Sequence, residues 1–254
     1  MTGRVVPAQG PPLWLGCAGW SLPREQWPAF PVEGTHLQRY AGRLPACEIN
    51  TSFYRPHRPA TYAKWANSVP PGFRFSVKVP KQISNEQRLR DCDALLEAFL
   101  EHCSALGDRL GCLLVQLPPS LAYDAPVAER FFTTLRDRFA GDVALEPRHV
   151  SWGQAEPVLQ ELRIARVAAD PSPLGEPLQP AGWPQLRYYR LHGSPRLYYS
   201  VYGAERLQPL ARQLLAEREA GSRVWCIFDN TASGAAMADA LLMQDLLGGA
   251  GESS

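Results

Sequence analysis

Side chains suited to proton transfer recur at the ends of short apolar segments of this 254-residue chain. Glu146 and His192 lie near the ends of two such segments, and Glu48 lies within a third. Carboxyl and imidazole groups are the usual general acids and bases, and histidine changes its charge near neutral pH. We therefore interpret Glu48, Glu146 and His192 as candidate catalytic residues.

A second set of side chains could bind a substrate. Lysine and arginine pair with phosphate or carboxylate groups, while aromatic rings stack on sugars and bases. Because each member lies at or just beyond the end of an apolar segment, the candidate binding residues are Trp20, Asn50, Tyr54, Lys78, Gln116, Arg148, Asp170, Arg190 and Asn230.

Two other interpretations of these residues stay open. Glu146 and Arg148 are two positions apart on a predicted strand, so they point the same way and could form a structural ion pair. Carboxylates with a histidine could also hold a divalent metal, which the neighbouring cations oppose. The cysteine spacing contains no CxxC pair, and the sequence has no GxGxxG, Walker or HExxH motif. The sequence motifs therefore indicate no particular cofactor and no definite metal ligand.

The elements that must position these residues form a repeating series. Eight apolar or β-branched runs begin 21 to 38 residues apart, at 13, 46, 73, 111, 142, 165, 186 and 224. Such spacing leaves room for a helix between most strands, which is typical of strand–helix–strand units in a parallel sheet. We predict a TIM-type (β/α)₈ barrel in a single domain of residues 1–254, with a core of about 13–247 and loose tails. The proline-rich segment 171–185 predicts an irregular connection between the sixth and seventh strands.

Local signals place several helices. Thr35 with Gln38, and Ser84 with Gln87, each match a capping box that opens a helix. After Ser84 an apolar stripe predicts the longest helix, with members Leu89, Cys92, Leu96, Phe99, Cys103 and Leu106. We expect Cys92, Cys103 and Cys112 to be buried, reduced thiols.

Charge and hydropathy limit the function classes. The formal net charge is +1, which excludes a binder recognised by bulk positive charge and an acidic disordered chain. No run of apolar residues is long enough for a membrane span, and the first residues lack the apolar segment of a signal peptide. We expect a cytoplasmic protein that binds no membrane.

The order of motifs resembles the domain of unknown function 72 family, the YecE-like proteins. The matching stretches are GCAGW at 16–20, EINTSFYRP at 48–56, FRFSVKVP at 73–80, QLPPS at 116–120, EPRHVSW at 146–152, YRLHG at 189–193 and FDNTASGAAMADA at 228–240. The resemblance implies a barrel similar to the (β/α)₈ type. Many relatives have a Thr-His pair where this chain has Ser84-Asn85.

Two hypotheses for function follow. The first is an enzyme that uses acid–base chemistry on a small anionic substrate, phosphorylated compounds included, at the carboxyl-terminal mouth of the barrel. The second is a non-catalytic protein that binds nucleic acid or a partner through the same basic and aromatic rim. The sequence names neither the substrate nor the oligomeric state.

Overall fold

The computed structural model describes residues 10–172 and 178–249. Within them ten strands form one sheet that curls into a nearly closed barrel, with the order β7-β9-β10-β1-β2-β3-β4-β5-β6-β8. The strands are β1 (Leu13–Ala18), β2 (Ala46–Ile49), β3 (Arg74–Lys78), β4 (Leu110–Gln116), β5 (Asp142–Glu146), β6 (Ala165–Arg166), β7 (Ala168–Asp170), β8 (Ala181–Gly182), β9 (Leu186–Leu191) and β10 (Arg223–Phe228). All neighbouring pairs are parallel except β6 with β8. The predicted TIM-type α/β barrel is confirmed.

The sixth predicted strand closes the barrel in two pieces. Its first half, β6, pairs with β5, and its second half, β7, pairs with β9. Between them the N–H of Val167 still donates to the carbonyl of Leu145 at 2.9 Å. The count of eight parallel strands is thus wrong in two details, because this strand divides and β8 adds a short antiparallel pair.

The connection after β7 is irregular in the part that the structure describes, as predicted, while residues 173–177 of it lie outside the described residues. Gly182 lets β8 approach β6 closely. It has a φ of 71°, and a Cβ there would lie 2.3 Å from the carbonyl oxygen of Ile164. Only glycine tolerates both the positive φ and the contact.

Helices cover the outside of the barrel. They are α1 (His36–Ala41), α2 (Pro59–Asn67), α3 (Asp93–Cys103), α4 (Ala125–Arg138), α5 (Glu156–Glu161), α6 (Gly203–Glu219) and α7 (Ala235–Gly249). The capping box of Thr35 and Gln38 is confirmed at the start of α1. No helix among the described residues is long and apolar enough to cross a membrane.

The predicted helix start at Ser84 is wrong. Ser84 lies in a single π-helical turn, Gln82–Glu86, and α3 begins only at Asp93. Between them Arg88, Leu89 and Asp91 have positive φ angles of 52°, 67° and 48°. A right-handed helix cannot continue through such residues, although the apolar side chains still reach the core.

Two apolar layers hold the barrel. The larger lies between the helices and the outer face of the sheet, and a smaller one fills the barrel interior. All six cysteines are free and buried, which confirms the expected burial of Cys92, Cys103 and Cys112. Burial raises the pKa of the Cys92 thiol to about 11, so it is protonated and unreactive at neutral pH.

Candidate active site

The barrel interior changes from apolar to charged toward the carboxyl ends of the strands. At the amino-terminal side Trp225 packs on Trp14 with ring centroids 4.8 Å apart, and on Tyr188 at 5.9 Å. Along β9 and just beyond it, Tyr188, Arg190 and His192 are spaced two apart and face the interior in turn. The phenol of Tyr188 donates to Glu48 Oε2 at 3.0 Å, which joins the apolar floor to the charges above it.

Arg190 is the centre of the charged layer. It is fully buried, and Nε and Nη2 donate to the two carboxylate oxygens of Glu48 at 3.0 and 2.7 Å. Nη1 donates to Glu146 at 3.1 Å, and Nη2 lies 2.9 Å from Asp229. Burial alone would lower the pKa of Arg190, but Asp229, Glu48 and Glu146 raise it well above its usual value. Arg190 is permanently charged and engaged with three carboxylates.

His192 lies between two carboxylates. Its Nδ1 is 3.0 Å from Asp229 Oδ2, and its Nε2 is 2.9 Å from Glu146 Oε1. An N–H donor, Arg148 Nη2, also lies 2.7 Å from Nε2. Nε2 therefore has a hydrogen-bond partner both with its proton and without it, while Asp229 orients the ring through Nδ1. Nε2 is thus the ring nitrogen that has alternative hydrogen-bond partners.

Both carboxylates beside His192 are ionised. Burial would raise the pKa of Glu146, but the charges of Arg190, His192 and Arg148 hold it well below its ordinary value. The pKa of Asp229 is likewise lowered, since Arg190 and the hydrogen bond from His192 outweigh burial. Two ionised carboxylates therefore contact the imidazole ring of His192.

Lys78 ends β3 and reaches the same layer without an ion pair in the described residues. The residue is 5% exposed, and its Nζ lies 4.2 Å from the centroid of the Phe53 ring. Burial, and then the charge of Arg190, lower its pKa from 10.5 to about 8. The carboxylates of Glu48, Glu146 and Asp229 act on Lys78 in the opposite direction.

Arg148 is more exposed than the other two cations of this layer, Lys78 and Arg190. Its side chain is 14% exposed, and Nη2 forms an ion pair with Glu146 besides contacting His192. In the part of the chain that the structure describes, its Nε and Nη1 have no hydrogen-bond partner. Arg148 thus has donors available for a ligand, which Arg190 lacks.

An aromatic cleft of about 460 Å³ adjoins Glu48. Trp20 forms one wall and packs edge-on against Trp65, with centroids 5.0 Å apart. Asn50 and Tyr54 also line the cleft, and Tyr54 is 71% exposed. Three of the predicted binding residues therefore share a cleft beside the charged layer.

The side chains of the remaining predicted binding residues, Asp170, Asn230 and Gln116, form no hydrogen bond or ion pair with the charged layer within residues 10–172 and 178–249. Asp170 pairs with Arg206 on α6 at 3.0 Å, at the rim. Asn230 is buried and donates to Asp239 at 2.7 Å and to the carbonyl of Ser200 at 2.9 Å. Gln116 is half-buried at the end of β4, in register with Glu146.

Sequence reasoning left three residues out of the candidate set. Asp229 contacts both Arg190 and His192, and its place at the end of β10 was the available signal. Tyr188 was detectable as the residue two before Arg190 on the same strand. Tyr198 packs edge-on against the His192 ring, with centroids 5.7 Å apart, and no sequence signal points to this loop residue.

The described residues contain no group of three or more His, Cys, Asp and Glu side chains with the arrangement of a metal site. The carboxylates that metal binding would need are instead engaged by guanidinium groups, as Glu48 is by Arg190.

Fold and site together define an α/β barrel with a buried charged cluster at the carboxyl ends of its strands. The family model described as "Protein of unknown function DUF72" matches residues 14–254, so the chain belongs to the DUF72 family.

Sequence relatives and solved structures agree with this assignment. The chain is 29% identical over 168 residues to the UPF0759 protein YecE of Escherichia coli K12, covering 64% of this chain and 60% of that protein. The UPF0759 protein YunF of Bacillus subtilis is 25% identical over 55% of this chain and 52% of its own length. The chain thus spans roughly half to three fifths of these relatives.

Two DUF72 crystal structures share the fold. That from Enterococcus faecalis gives a TM-score of 0.77 at 23% identity, covering 93% of this chain and 95% of its own. That from Thermotoga maritima gives 0.74 at 22% identity, covering 93% and 99%. These similarities concern the fold.

Proposed function

We propose that this protein is an enzyme that uses acid–base chemistry on a small anionic substrate at the carboxyl-terminal mouth of the barrel. The observation that carries the proposal is His192, held by Asp229 at Nδ1 and contacted at Nε2 by both Glu146 and Arg148. An ion pair with only a structural role, such as Glu146 with Arg148, does not require a histidine. Here the imidazole Nε2 contacts both an acceptor and a donor, which suits a group that transfers a proton.

Arg148 binds the anion in this proposal. Its Nε and Nη1 have no hydrogen-bond partner within the described part of the chain, and each forms a two-donor edge together with Nη2. A carboxylate or phosphate fits such an edge. Lys78 adds a second positive charge nearby. Arg190 has a different role from the anion contact expected from sequence, because its donors are engaged by Glu48, Glu146 and Asp229. It positions the carboxylates.

Proton transfer then centres on Nε2 of His192. An anion that engages Arg148 competes with the contacts of its guanidinium to Nε2 and Glu146, which frees Nε2 to exchange a proton with the substrate. Glu146 stays ionised and orients the ring through its contact with Nε2, and Glu48 holds Arg190 in place. The aromatic cleft lined by Trp20 receives the uncharged part of the substrate.

Titration calorimetry tests the binding half of this proposal. Inorganic phosphate, pyruvate and a phosphorylated sugar serve as probes for the wild-type protein, Arg148→Ala and Arg90→Ala. Arg90 is a matched control, because it forms an exposed ion pair with Asp124. We expect at least one probe to bind the wild type and Arg90→Ala, and to bind Arg148→Ala much more weakly. Equal binding to all three proteins would contradict the assignment of Arg148.

One observation favours the alternative of a nucleic-acid or partner-binding protein. The loop after β9 exposes Leu197, Tyr198, Tyr199 and Val201, and the Arg196 guanidinium lies 4.0 Å from the Tyr199 ring centroid. Such basic and aromatic surfaces bind single-stranded nucleic acid or a protein partner. Oligonucleotide binding that weakens steeply with salt, without any turnover, would favour this alternative.

The proposed location of the protein is the cytoplasm. All six cysteines are free and buried, as is usual where thiols are kept reduced. Fractionation of cells that express the protein, followed by immunoblotting, tests this location.

A further inference from the structure

Lysine is rare in this chain, and one lysine is buried in the charged layer. The sequence contains 3 lysines and 23 arginines, so arginine is the ordinary cation of this protein. Lys64 is exposed on α2, and Lys81 pairs with Glu86 at 3.2 Å on the surface. Lys78 alone lies inside the barrel, where the other cations are Arg148 and Arg190. The charged layer therefore contains one primary amine beside two guanidinium groups, and of these only the amine readily loses its proton when buried.

Neighbouring residues hold the backbone and side chain of Lys78 in place, but none of the contacts described for it is an ion pair that would neutralise its charge. Ser52 Oγ donates to the Lys78 carbonyl at 2.6 Å, which fixes the end of β3. The Nζ lies over the Phe53 ring, and within the described residues no carboxylate oxygen comes within ion-pair distance of it. The charge of Arg190 opposes a second positive charge on Lys78, while the carboxylates of Glu48, Glu146 and Asp229 favour it without contacting it. The amine is thus oriented, partly dehydrated and free of a direct ionic partner.

We propose that Lys78 is a nucleophile that forms an imine with a small anionic carbonyl compound, such as a keto acid or a phosphorylated aldehyde or ketone. This inference rests on the proposed function and names its substrate class. The anionic group binds Arg148, and the carbonyl carbon meets Nζ of Lys78.

The atoms of the step balance. The lone pair of the neutral amine forms a C–N bond to the carbonyl carbon, and the carbonyl oxygen becomes a hydroxyl group. That hydroxyl takes up one more proton and leaves as water, so the oxygen has received both protons that the amine loses, and a C=N bond remains. His192 carries these protons. The lowered pKa of Lys78, about 8, supports the step because a useful fraction of the amine is unprotonated near neutral pH.

Reductive trapping tests the inference. Native protein is mixed with pyruvate, glyoxylate, glyceraldehyde 3-phosphate or dihydroxyacetone phosphate, assayed for turnover, and then treated with borohydride. Hydride adds to the imine carbon, so the trapped protein gains the mass of the carbonyl compound less one oxygen atom. Peptide mapping then distinguishes the three lysines. We expect labelling at Lys78 at least about tenfold above Lys64 and Lys81, as befits an activated amine.

Matched variants and the turnover assay separate the two proposals. Lys78→Arg should abolish this label and Lys81→Arg should keep it, while thermal unfolding shows that each variant is folded. Turnover without labelling, or equal labelling of all three lysines, would overturn the inference, and turnover in either case would leave the proposed function standing. Neither turnover nor labelling with any probe would count against both. Because the wild-type peptide map does not depend on a variant, misfolding of Lys78→Arg does not affect the outcome.

Discussion

Arg190 on β9 and Glu48 on β2 are joined across the barrel by two parallel hydrogen bonds of 3.0 and 2.7 Å. Both side chains are fully buried, so neither charge has water to replace its partner. We therefore predict that Arg190→Met destabilises the protein by about 3–5 kcal/mol, because buried carboxylates lose their cation. Urea unfolding near neutral pH measures this change.

Arg223→Met is the matched control for this prediction. Arg223 also makes two hydrogen bonds to one carboxylate, that of Asp142, but its side chain is 33% exposed. Water can replace the lost contact there, so we expect a loss of only about 1 kcal/mol. Equal losses in the two variants would contradict the importance of burial.

Arg148→Ala separates a functional ion pair from a structural one. If Arg148 is an anion-binding residue, the variant should lose about 2–4 kcal/mol of ligand binding free energy. Its free energy of unfolding should change less, because Glu146 keeps Arg190 as a partner at 3.1 Å. Calorimetric titration beside urea unfolding gives both values. Marked destabilisation with unchanged binding would show that the pair is structural.

Acid should destabilise the charged layer. The pKa values of Glu146 and Asp229 are lowered in the folded protein, so these groups favour the folded state above the ordinary carboxyl pKa. That contribution is lost as the pH falls through their folded values. We predict that Glu146→Gln loses less stability than the wild type on acidification below about pH 4, by on the order of 2 kcal/mol.

Urea unfolding across this pH range measures the acid effect. Glu97→Gln, which changes an exposed carboxyl on α3, is the control and should follow the wild-type curve. Parallel curves for Glu146→Gln and the wild type would be incompatible with an ionised, stabilising Glu146.

Lys78→Met should make the protein more stable near neutral pH. The folded pKa of Lys78 is about 8, against an ordinary 10.5, because burial and Arg190 oppose its charge. The unfolded chain therefore holds more protons between these values, and wild-type stability rises with pH there. We expect a gain of about 1–3 kcal/mol at neutral pH that shrinks as the pH approaches 10.

Lys81→Met is the control for the lysine prediction, since Lys81 is 44% exposed and on the surface. Urea unfolding at several pH values should show little change for it. Destabilisation by Lys78→Met at every pH would mean that the buried ammonium group is a net source of stability.

The sequence allowed the barrel and much of the charged layer to be predicted because of one geometric rule. The ends of parallel barrel strands converge, so Glu48, Glu146, Arg190 and His192 had to be neighbours once eight strands were counted. The alternation of strand side chains placed Arg190 and His192 on the same face. The residue types along each strand were therefore enough to predict the barrel and these four members of its charged layer.

Three features could not be predicted from the sequence, because they depend on tertiary contacts or on irregular backbone. Asp170 ends a strand like Glu146, yet it pairs with Arg206 on α6, and only packing of that helix decides this. The start of α3 moved to Asp93 because Arg88 and Leu89 adopt positive φ angles, which these residue types rarely do. Tyr198 reaches His192 through an irregular loop, whose path no periodicity describes.

The most direct test of acid–base catalysis at this site is a turnover screen with His192→Gln. Phosphorylated and carboxylated metabolites are incubated with the wild type, His192→Gln and Arg90→Ala, and products are followed by mass spectrometry. We predict that the wild type and Arg90→Ala convert at least one compound, and that His192→Gln is slower by about a hundredfold or more. Conversion at the same rate by His192→Gln, or none by the wild type with any compound, would contradict the proposed function.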